Sequence, residues 1–402
     1  MSAVPQSVPS RDARLTEFAL AVGGFGIGTG EFAIMGLLPQ VAAELGVSEP
    51  VAGHAISAYA LGVVVGAPLL AVIAARLPRR AVLLGLMLLF ALGNVASALA
   101  AGYGQLLAFR FLAGLPHGAF FGVASLVVAG MVDPGKRAQA VGRVMLGLTV
   151  ALLIGTPLAT WFGQTLSWRA AFATVGGIAL VTMLLVRLFV PATPGDRDAS
   201  PLRELGALRR PQVWLTLATG AIGFGGMFAV FSYITPTLVE VSQVPERWVP
   251  LVLAVFGAGG VVGNTLGAAL ADRALKPAIA GLLAWNMCVL LVFVAAAHNP
   301  WTAALLVFLV GTGGGLVPAL QVRLMDTAAD AQTLAAALNH AAFNMANALG
   351  AWLGGLTVLA GHGWTSTGWV GAALAFAGLL VFLAAVALER RRVRTDACAA
   401  LG

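Results

Sequence analysis

The sequence predicts an all-α membrane protein whose twelve transmembrane helices form two pseudo-symmetric bundles of six. Of its 402 residues, 59% are hydrophobic and only 10% are charged, too few to cover a water-soluble globule of this size. The chain also repeats itself at an offset of 197 residues, since GVVVG at 62–66 aligns with GGVVG at 259–263. Lipid is therefore the expected solvent for most of the chain, and its two halves are expected to share one fold.

Twelve apolar segments are long enough to cross the hydrocarbon core as helices, which takes about 20 residues. The segments are residues 17–39, 51–75, 81–101, 105–131, 140–163, 168–190, 212–238, 249–271, 277–297, 301–325, 334–360 and 366–388. Residues 191–211 hold the densest interior run of prolines and mixed charges, which is typical of a linker. The domains are predicted as tail 1–16, bundle 17–190, linker 191–211, bundle 212–388 and tail 389–402.

Basic residues predict the orientation of the chain. The loops expected on one side hold Arg76, Arg79, Arg80, Lys136, Arg137, Arg197, Arg203, Arg209, Arg210, Arg273 and Lys276. The opposite loops hold only Arg169 and Arg247. By the positive-inside rule, tails and linker are expected to be cytoplasmic. The net charge of +7 reflects this asymmetry, so nucleic acid is not an expected partner.

The repeat extends through several spans. Pairs at the same offset include Pro39 and Pro236, Arg76 and Arg273, Gly114 and Gly311, and Gly118 and Gly315. Internal repeats of this length in an apolar chain are typical of secondary transporters, which bind substrate between the repeats near the bilayer midplane. The repeat therefore predicts a secondary transporter that lies in lipid and carries a small molecule.

Several motifs point to one family. Residues 76–80 (RLPRR) resemble the cytoplasmic loop signature of the major facilitator superfamily, and residues 268–273 repeat part of it. Arg110 with Gly114 and Gly118 resembles the fourth-helix motif, and Gly155-Thr156-Pro157 resembles the fifth-helix motif associated with antiporters. Residues 30–32, 66–68 and 116–122 resemble the drug:proton antiporter-type efflux branch. That branch includes arabinose-type sugar exporters, purine-nucleoside exporters and chloramphenicol-efflux proteins.

The resemblance implies the major facilitator fold, a bacterial inner-membrane location and a single-chain transporter. It implies export of a small neutral or weakly polar molecule, such as a drug, a sugar or a nucleoside, by proton antiport. Conformational gating residues carried over from the motifs are Arg76, Arg79, Arg80, Asp272, Arg273, Gly155 and Pro157. One position departs from the family: Ala75 stands where the loop signature has an aspartate. A gating carboxylate is therefore expected only in the second half, at Asp272.

Glu31 is the candidate proton carrier. It lies 8 residues before Pro39, roughly 12 Å deep at the helical rise of 1.5 Å per residue. An ionisable residue at such depth is a functional candidate by default. Arg110 lies roughly 8 Å deep in the fourth span and is the candidate charge partner. The alternatives are a structural carboxylate in a broken helix and an arginine that braces backbone carbonyls or extends to the interface.

Candidate substrate contacts lie in both halves. His117 is a candidate relay or polar contact, with a histidine satisfied by a neighbouring carbonyl as the alternative. Phe120 belongs to the same motif segment. In the second half, Phe228 and Phe231 suggest an aromatic wall, although packing between helices is the more usual role of phenylalanine. The polar candidates there are Asn264 and the stripe His340, Asn344 and Asn347, which either lines a cavity or joins helices.

Other functional classes find little support. The sequence contains no HExxH, no GxxxxGK[ST] and no supported Ser-His-Asp arrangement, so no enzyme activity is expected. Two cysteines, Cys288 and Cys398, provide neither a disulfide framework nor a metal site, and no cofactor is expected. Two alternatives stay open: a passive facilitator of a small solute, and a membrane receptor or scaffold without transport.

Overall fold

The structure, a computed structural model, describes residues 10–74, 77–133, 137–192, 209–328 and 332–399. These ranges contain helices and no strands. The chain divides into two compact units, Met1–Pro201 and Leu202–Gly402. The boundary between them falls within the segment that the sequence predicts as a linker.

The first unit is a bundle of six long helices. They are Ser10–Gly36 (α1), His54–Ala74 (α2), Arg79–Ala98 (α3), Tyr103–Gly130 (α4), Arg137–Val150 continued by Ala151–Gly155 and Thr156–Thr165 (α5), and Trp168–Phe189 (α6). Two short helices, Leu38–Leu45 and Glu49–Ala52, connect α1 to α2. Helix α1 packs on α5 and α6, α2 packs on α4, and α3 packs on both α4 and α6.

The second unit repeats this arrangement. Its helices are Pro211–Phe231 (α7), the two arms of Val249–Ala296 (α8 and α9), Pro300–Ala328 (α10), Gln332–Leu359 (α11) and Ser366–Ala399 (α12). Ten segments of the described chain are long and apolar enough to cross a membrane. One of them, Glu246–Ala296, contains both α8 and α9, and adding α11 gives the twelve predicted helices.

Helices α8 and α9 meet at a kink instead of a loop. The backbone leaves the helical region at Ala274 (φ −161°, ψ 88°), three residues before Pro277. Pro277 has no N–H to donate to the carbonyl of Arg273, and its ring would clash with that carbonyl in a straight helix. The predicted separation of the eighth and ninth spans is thus achieved by a proline-associated bend.

Two helices extend beyond the predicted apolar segments. Helix α1 begins at Ser10, ahead of the predicted start at 17, and Asp12 in its first turn interacts favourably with the helix dipole. Helix α12 continues to Ala399, past the predicted end at 388. Hydropathy marks where a helix leaves the lipid, whereas backbone hydrogen bonding continues into polar sequence.

Helix α5 contains one π-helical turn, Ala151–Gly155. The turn directly precedes the Thr156-Pro157 step of the predicted antiporter motif, and the N–H of Thr156 bonds to the carbonyl of Ala151. Pro157 has no N–H to continue the normal ladder, so the widened turn accommodates it. Gly155 and Pro157 are both buried, and a Cβ on Gly155 would overlap Thr29 of α1.

Glycines bring equivalent helices into backbone contact in both units. A Cβ on Gly62 would overlap the carbonyl oxygen of Phe111, and one on Gly66 that of Leu115, so α2 and α4 touch closely. In the second unit the same overlaps occur from Gly259 to Phe308 and from Gly263 to Thr312. Each residue of these first-unit contacts lies 197 positions before its counterpart in the second unit. The sequence repeat is therefore also a repeat of three-dimensional contacts.

A tryptophan–glutamate hydrogen bond also occurs once in each unit. The indole Nε1 of Trp168 donates to Glu44 at 2.5 Å, and that of Trp364 donates to Glu240 at 2.6 Å. Both pairs are separated by 124 residues. Each bond ties the segment after the first helix of its unit to the beginning of the sixth.

Candidate functional site

Four polar side chains meet in the interior of the first unit. Glu31 of α1, Tyr59 of α2, and Arg110 and His117 of α4 are 4%, 1%, 0% and 1% exposed. We call these four residues the polar cluster. Buried ionisable groups are costly in an apolar bundle unless they are paired or used, so the cluster is the leading candidate for function.

His117 connects two members of the cluster. Its Nδ1 lies 3.2 Å from the Tyr59 hydroxyl and 3.7 Å from Oε2 of Glu31. Without a proton on Nδ1, the ring accepts a hydrogen bond from Tyr59. With a proton there, it donates towards Tyr59 or Glu31. The tyrosine and the carboxyl group therefore share one ring nitrogen, and a proton moved at this atom changes the bonding of both.

Arg110 lies between aromatic rings. Its guanidinium carbon is 4.4 Å from the centre of the Tyr59 ring and 5.0 Å from that of Phe172, both within cation–π range. Among the described residues, none of its three side-chain nitrogens donates a hydrogen bond. Arg110 also lies within electrostatic range of Glu31. A buried guanidinium held by rings, without directional bonds, can move towards a nearby negative charge with little bonding to break.

Small residues determine how the cluster assembles. Gly114 packs against the backbone of Tyr59, which sets the position of the tyrosine beside the two polar residues of α4. Next to Glu31, a Cβ on Gly30 would meet Phe90, Asn94 and Val175. Helix α1 is therefore pressed against α3 and α6 at the level of its carboxyl group.

The other predicted residues of the first unit lie outside the cluster. Phe120 is fully buried in the bundle core, where its ring packs over Gly23. Arg79 donates to the carbonyl of Leu126, and Arg80 to that of Val190, each at 3.3 Å. These two arginines tie the start of α3 to α4 and to the end of α6. Arg76 lies outside the described residues.

The predicted aromatic residues of α7 contact other aromatic rings. Phe228 packs edge-on against Phe224 with centroids 5.4 Å apart. Phe231 stacks on Phe256 with a centroid distance of 3.8 Å and an interplanar angle of 8°. Both side chains are buried within the second unit.

The predicted polar residues of the second unit lie on α8 and α11. Asn264, Asp272 and Arg273 are exposed on α8, the last two directly before the kink. On α11, His340 is half-buried and Asn344 and Asn347 are buried. The Asn344 amide donates to the carbonyl of His340 at 3.1 Å, so one of its groups already serves the helix itself.

The polar cluster has no polar equivalent in the second unit. The 197-residue offset replaces its members by apolar residues: Glu31 by Phe228, Tyr59 by Phe256, Arg110 by Val307 and His117 by Gly314. Two of these replacements, Phe228 and Phe256, belong to the aromatic contacts just described. At these four positions, the duplicated fold therefore carries polar and ionisable residues in the first unit and apolar residues in the second.

Some residues near the site are absent from the sequence-based prediction. Tyr59 and Phe172 are aromatic residues in apolar spans, where their pattern does not differ from that of lipid-facing or core residues. Glu17 is not predicted either, because it lies at the predicted edge of the first span, where a charged residue is common. In the structure it is buried and makes a two-point ion pair with Arg143, with N–O distances of 2.6 and 2.8 Å. The sequence feature that could have indicated this ion pair is Arg143, an arginine within an apolar span.

Comparisons with known proteins agree with this architecture. The model of the Major Facilitator Superfamily matches residues 20–332 and 251–398. The chain is 43% identical over 371 residues to the inner membrane transport protein YdhP of Escherichia coli strain K12, covering 91% of this chain and 95% of the relative. It is 35% identical over 394 residues to a chloramphenicol resistance protein of Streptomyces lividans, covering 95% and 98%.

A solved structure supports the fold alone. A bacterial homologue of the human lysosomal transporter Spinster superposes with a TM-score of 0.69 at 17% identity, covering 94% of this chain and 99% of the other. With twelve apolar helices among its described residues, a duplicated bundle and relatives matched over nearly their whole length, this chain belongs to the major facilitator superfamily and is a membrane transporter, not an enzyme.

Proposed function

We propose that this protein is a secondary active exporter that moves a small neutral or weakly polar molecule out of a bacterial cell in exchange for protons. Glu31 is the proton carrier, Arg110 responds to its charge, and His117, which contacts Glu31 and Tyr59, is a relay or a polar contact for the substrate. The observation that carries this proposal is the shared Nδ1 of His117. Its distances of 3.7 Å to Glu31 and 3.2 Å to Tyr59 join an acid, an imidazole and a phenol inside an apolar bundle.

The coupling follows from charge balance within the cluster. When Glu31 is ionised, its negative charge attracts the positive charge of Arg110. When Glu31 gains a proton, that attraction ends and the guanidinium keeps only its contacts with Tyr59 and Phe172. The two protonation states thus favour different positions of α1 relative to α4. A proton shifts the conformational equilibrium only by the difference in its affinity for the two states.

The second unit supplies substrate contacts in this proposal. Phe228 and Phe231 offer an aromatic surface, and Asn264, His340, Asn344 and Asn347 offer hydrogen bonds to hydroxyl or amide groups. The buried Oδ1 of Asn344 accepts no hydrogen bond from the described residues, which supports this role. The name of the Streptomyces lividans relative favours a phenicol as the first substrate to test.

Gating and location complete the proposal. Arg79 and Arg80, which hold the ends of α3, α4 and α6 together, and Asp272 and Arg273 beside the kink are the proposed gating groups. The widened turn before Pro157 gives α5 a point of flexure. In this proposal the chain lies in the inner membrane with both termini cytoplasmic, which the name of the YdhP relative and the positive-inside rule support. It works as a single chain, as the resemblance to the superfamily implies.

The test compares wild type with Glu31→Gln in efflux-deficient bacteria at matched expression. Intracellular accumulation of phenicols, toxic nucleoside analogues and non-metabolised sugars is measured. Wild type is expected to lower accumulation of one class, and Glu31→Gln to lose about tenfold or more of that effect, because glutamine cannot carry the proton. In proteoliposomes without a pH gradient, the variant is expected to retain substrate exchange.

Asp12→Asn provides the control, since Asp12 is an exposed carboxylate on the same helix. It should behave as wild type. Equal, gradient-driven export by Glu31→Gln would contradict a proton-carrying role and favour the passive facilitator. No flux of any compound by wild type would favour a receptor or scaffold.

A further inference from the structure

A groove of about 620 Å³ runs along the first unit between α1 and α5. Its lining includes Arg14, Glu17, Phe18 and Phe25 of α1 and Arg143 and Leu146 of α5. The volume falls within the range of small-molecule sites, which are mostly apolar with a few convergent polar groups. None of the sequence-predicted substrate contacts lines this groove.

The polar end of the groove is positively charged. Arg143 binds both carboxylate oxygens of Glu17, so that the buried glutamate is neutralised. Arg14 adds a second, exposed guanidinium. Two arginines and one glutamate leave a formal charge of +1, and the side chain of Arg143 is still 39% exposed to a ligand. This end can accept an uncharged hydrogen-bond acceptor or an anion, and it disfavours a cation.

The walls of the groove are apolar and aromatic. Phe18 and Phe25 are seven residues apart and so lie on one face of α1. Leu146 and Val150, four residues apart, form the facing side on α5. Gly147 packs against the backbone of Ala21 and allows the two helices to meet at the floor. An apolar or aromatic ligand body is complementary to such walls.

The sequence repeat relates this groove to the polar stripe of α11. Subtracting 197 maps His340, Asn344 and Asn347 onto Arg143, Gly147 and Val150. All three of these first-unit positions line the groove. The groove and the stripe are therefore equivalent surfaces of the two units, one lined by arginine and aliphatic residues and the other by histidine and amides.

We propose that the groove between α1 and α5 binds the transported substrate, and that this substrate is an uncharged or anionic amphiphile with an aromatic body. Its polar group lies at Arg14 and Arg143, and its ring lies between Phe18 and Phe25. Phe25 is six residues from Glu31 on the same helix, about 9 Å along its axis. The Phe25 end of the groove is thus the end nearer to Glu31 along α1. The inference rests on the proposed export function.

Binding of radiolabelled chloramphenicol to purified protein, without a pH gradient, tests the site. Leu146→Trp places a larger side chain in the groove, so it is expected to block the apolar pocket and weaken chloramphenicol binding about tenfold or more. Leu158→Trp is the matched control, because Leu158 is a leucine of the same helix with nearly the same exposure, 56% against 55%, and lies outside the groove. It should change affinity less than about twofold. Both variants must elute and melt as wild type does.

Charge selectivity gives an independent result. The anionic dye anilinonaphthalene sulfonate should compete with chloramphenicol, and the cation rhodamine 6G should not. Arg14→Gln should weaken binding of the dye more than binding of chloramphenicol. Competition by rhodamine 6G alone, equal effects of the two tryptophan variants, or no chloramphenicol binding by wild type would each overturn the proposal. This assay uses the wild-type chain and groove variants without a pH gradient, so its result does not depend on proton coupling. Failure of proton coupling, measured by gradient-driven export, is therefore distinguishable from failure of the groove.

Discussion

Arg110→Leu is expected to abolish gradient-driven transport while leaving the melting temperature of the purified protein unchanged or higher. Burying a charge without hydrogen bonds costs free energy, and Arg110 is fully buried with no hydrogen bond to the described residues. Replacing buried charges by apolar residues of similar size is often neutral or stabilising, by about 1–4 kcal/mol. A buried charge that does not stabilise the bundle is best explained by a role in coupling.

Arg110→Lys separates charge from shape. Lysine keeps the positive charge but lacks the planar group that stacks over Tyr59 and Phe172. If charge alone matters, the lysine variant should retain transport. If stacking on the two aromatic rings matters, its transport rate should fall about tenfold. Gradient-driven accumulation in proteoliposomes and thermal unfolding in detergent measure the two properties.

Arg187→Leu is the control for Arg110→Leu, since Arg187 is an exposed arginine in the last turn of α6. It should leave both accumulation and melting unchanged. A large fall in melting temperature and folded yield for Arg110→Leu would instead mean that the arginine holds the bundle together. Its cation–π contacts would then be structural.

The fold was largely predictable because the solvent is lipid. A helix must satisfy its own backbone in hydrocarbon, so long apolar segments become helices with little influence from tertiary context. What hydropathy misses are features set by the backbone itself: the bend at Ala274 replaces a loop, and α1 begins within polar sequence. Glycine pairs revealed the duplication because backbone contact permits no other residue at those positions.

The sequence predicted which residues of the candidate site lie deep within the spans, but not which way their side chains point. Glu31, Arg110 and His117 were recognisable because polar residues within apolar spans are unusual. Which way each side chain points around its helix depends on packing, so the sequence favoured Glu31 with Arg110 as the close pair. In the structure Glu31 lies 3.7 Å from His117, and Arg110 stacks on aromatic residues within electrostatic range of Glu31. Tyr59, which joins both, has no polar neighbours along the chain to mark it.

Gly66→Ala and Gly263→Ala are expected to destabilise the protein severely and to similar extents. Alanine raises helix propensity by about 1 kcal/mol over glycine, which opposes the loss. However, the added Cβ would overlap the carbonyl of Leu115 at one site and that of Thr312 at the other. Overpacking typically costs about 1–3 kcal/mol, and a backbone cannot rotate away as a side chain can. The clash therefore outweighs the propensity, and each helix pair must separate.

Gly85→Ala and Gly281→Ala test the same substitution without the clash. Both glycines are exposed on helices, and a Cβ there meets no atom within 4 Å. Melting temperatures and folded yields should stay at wild-type values or rise slightly in these controls and fall sharply in Gly66→Ala and Gly263→Ala. If only one of the latter two were destabilised, the contacts would not be energetically equivalent. A similar loss of stability from both would mean that α8 packs on α10 with the same energy as α2 packs on α4. The duplication would then preserve this helix packing although the chemistry of the two units has diverged.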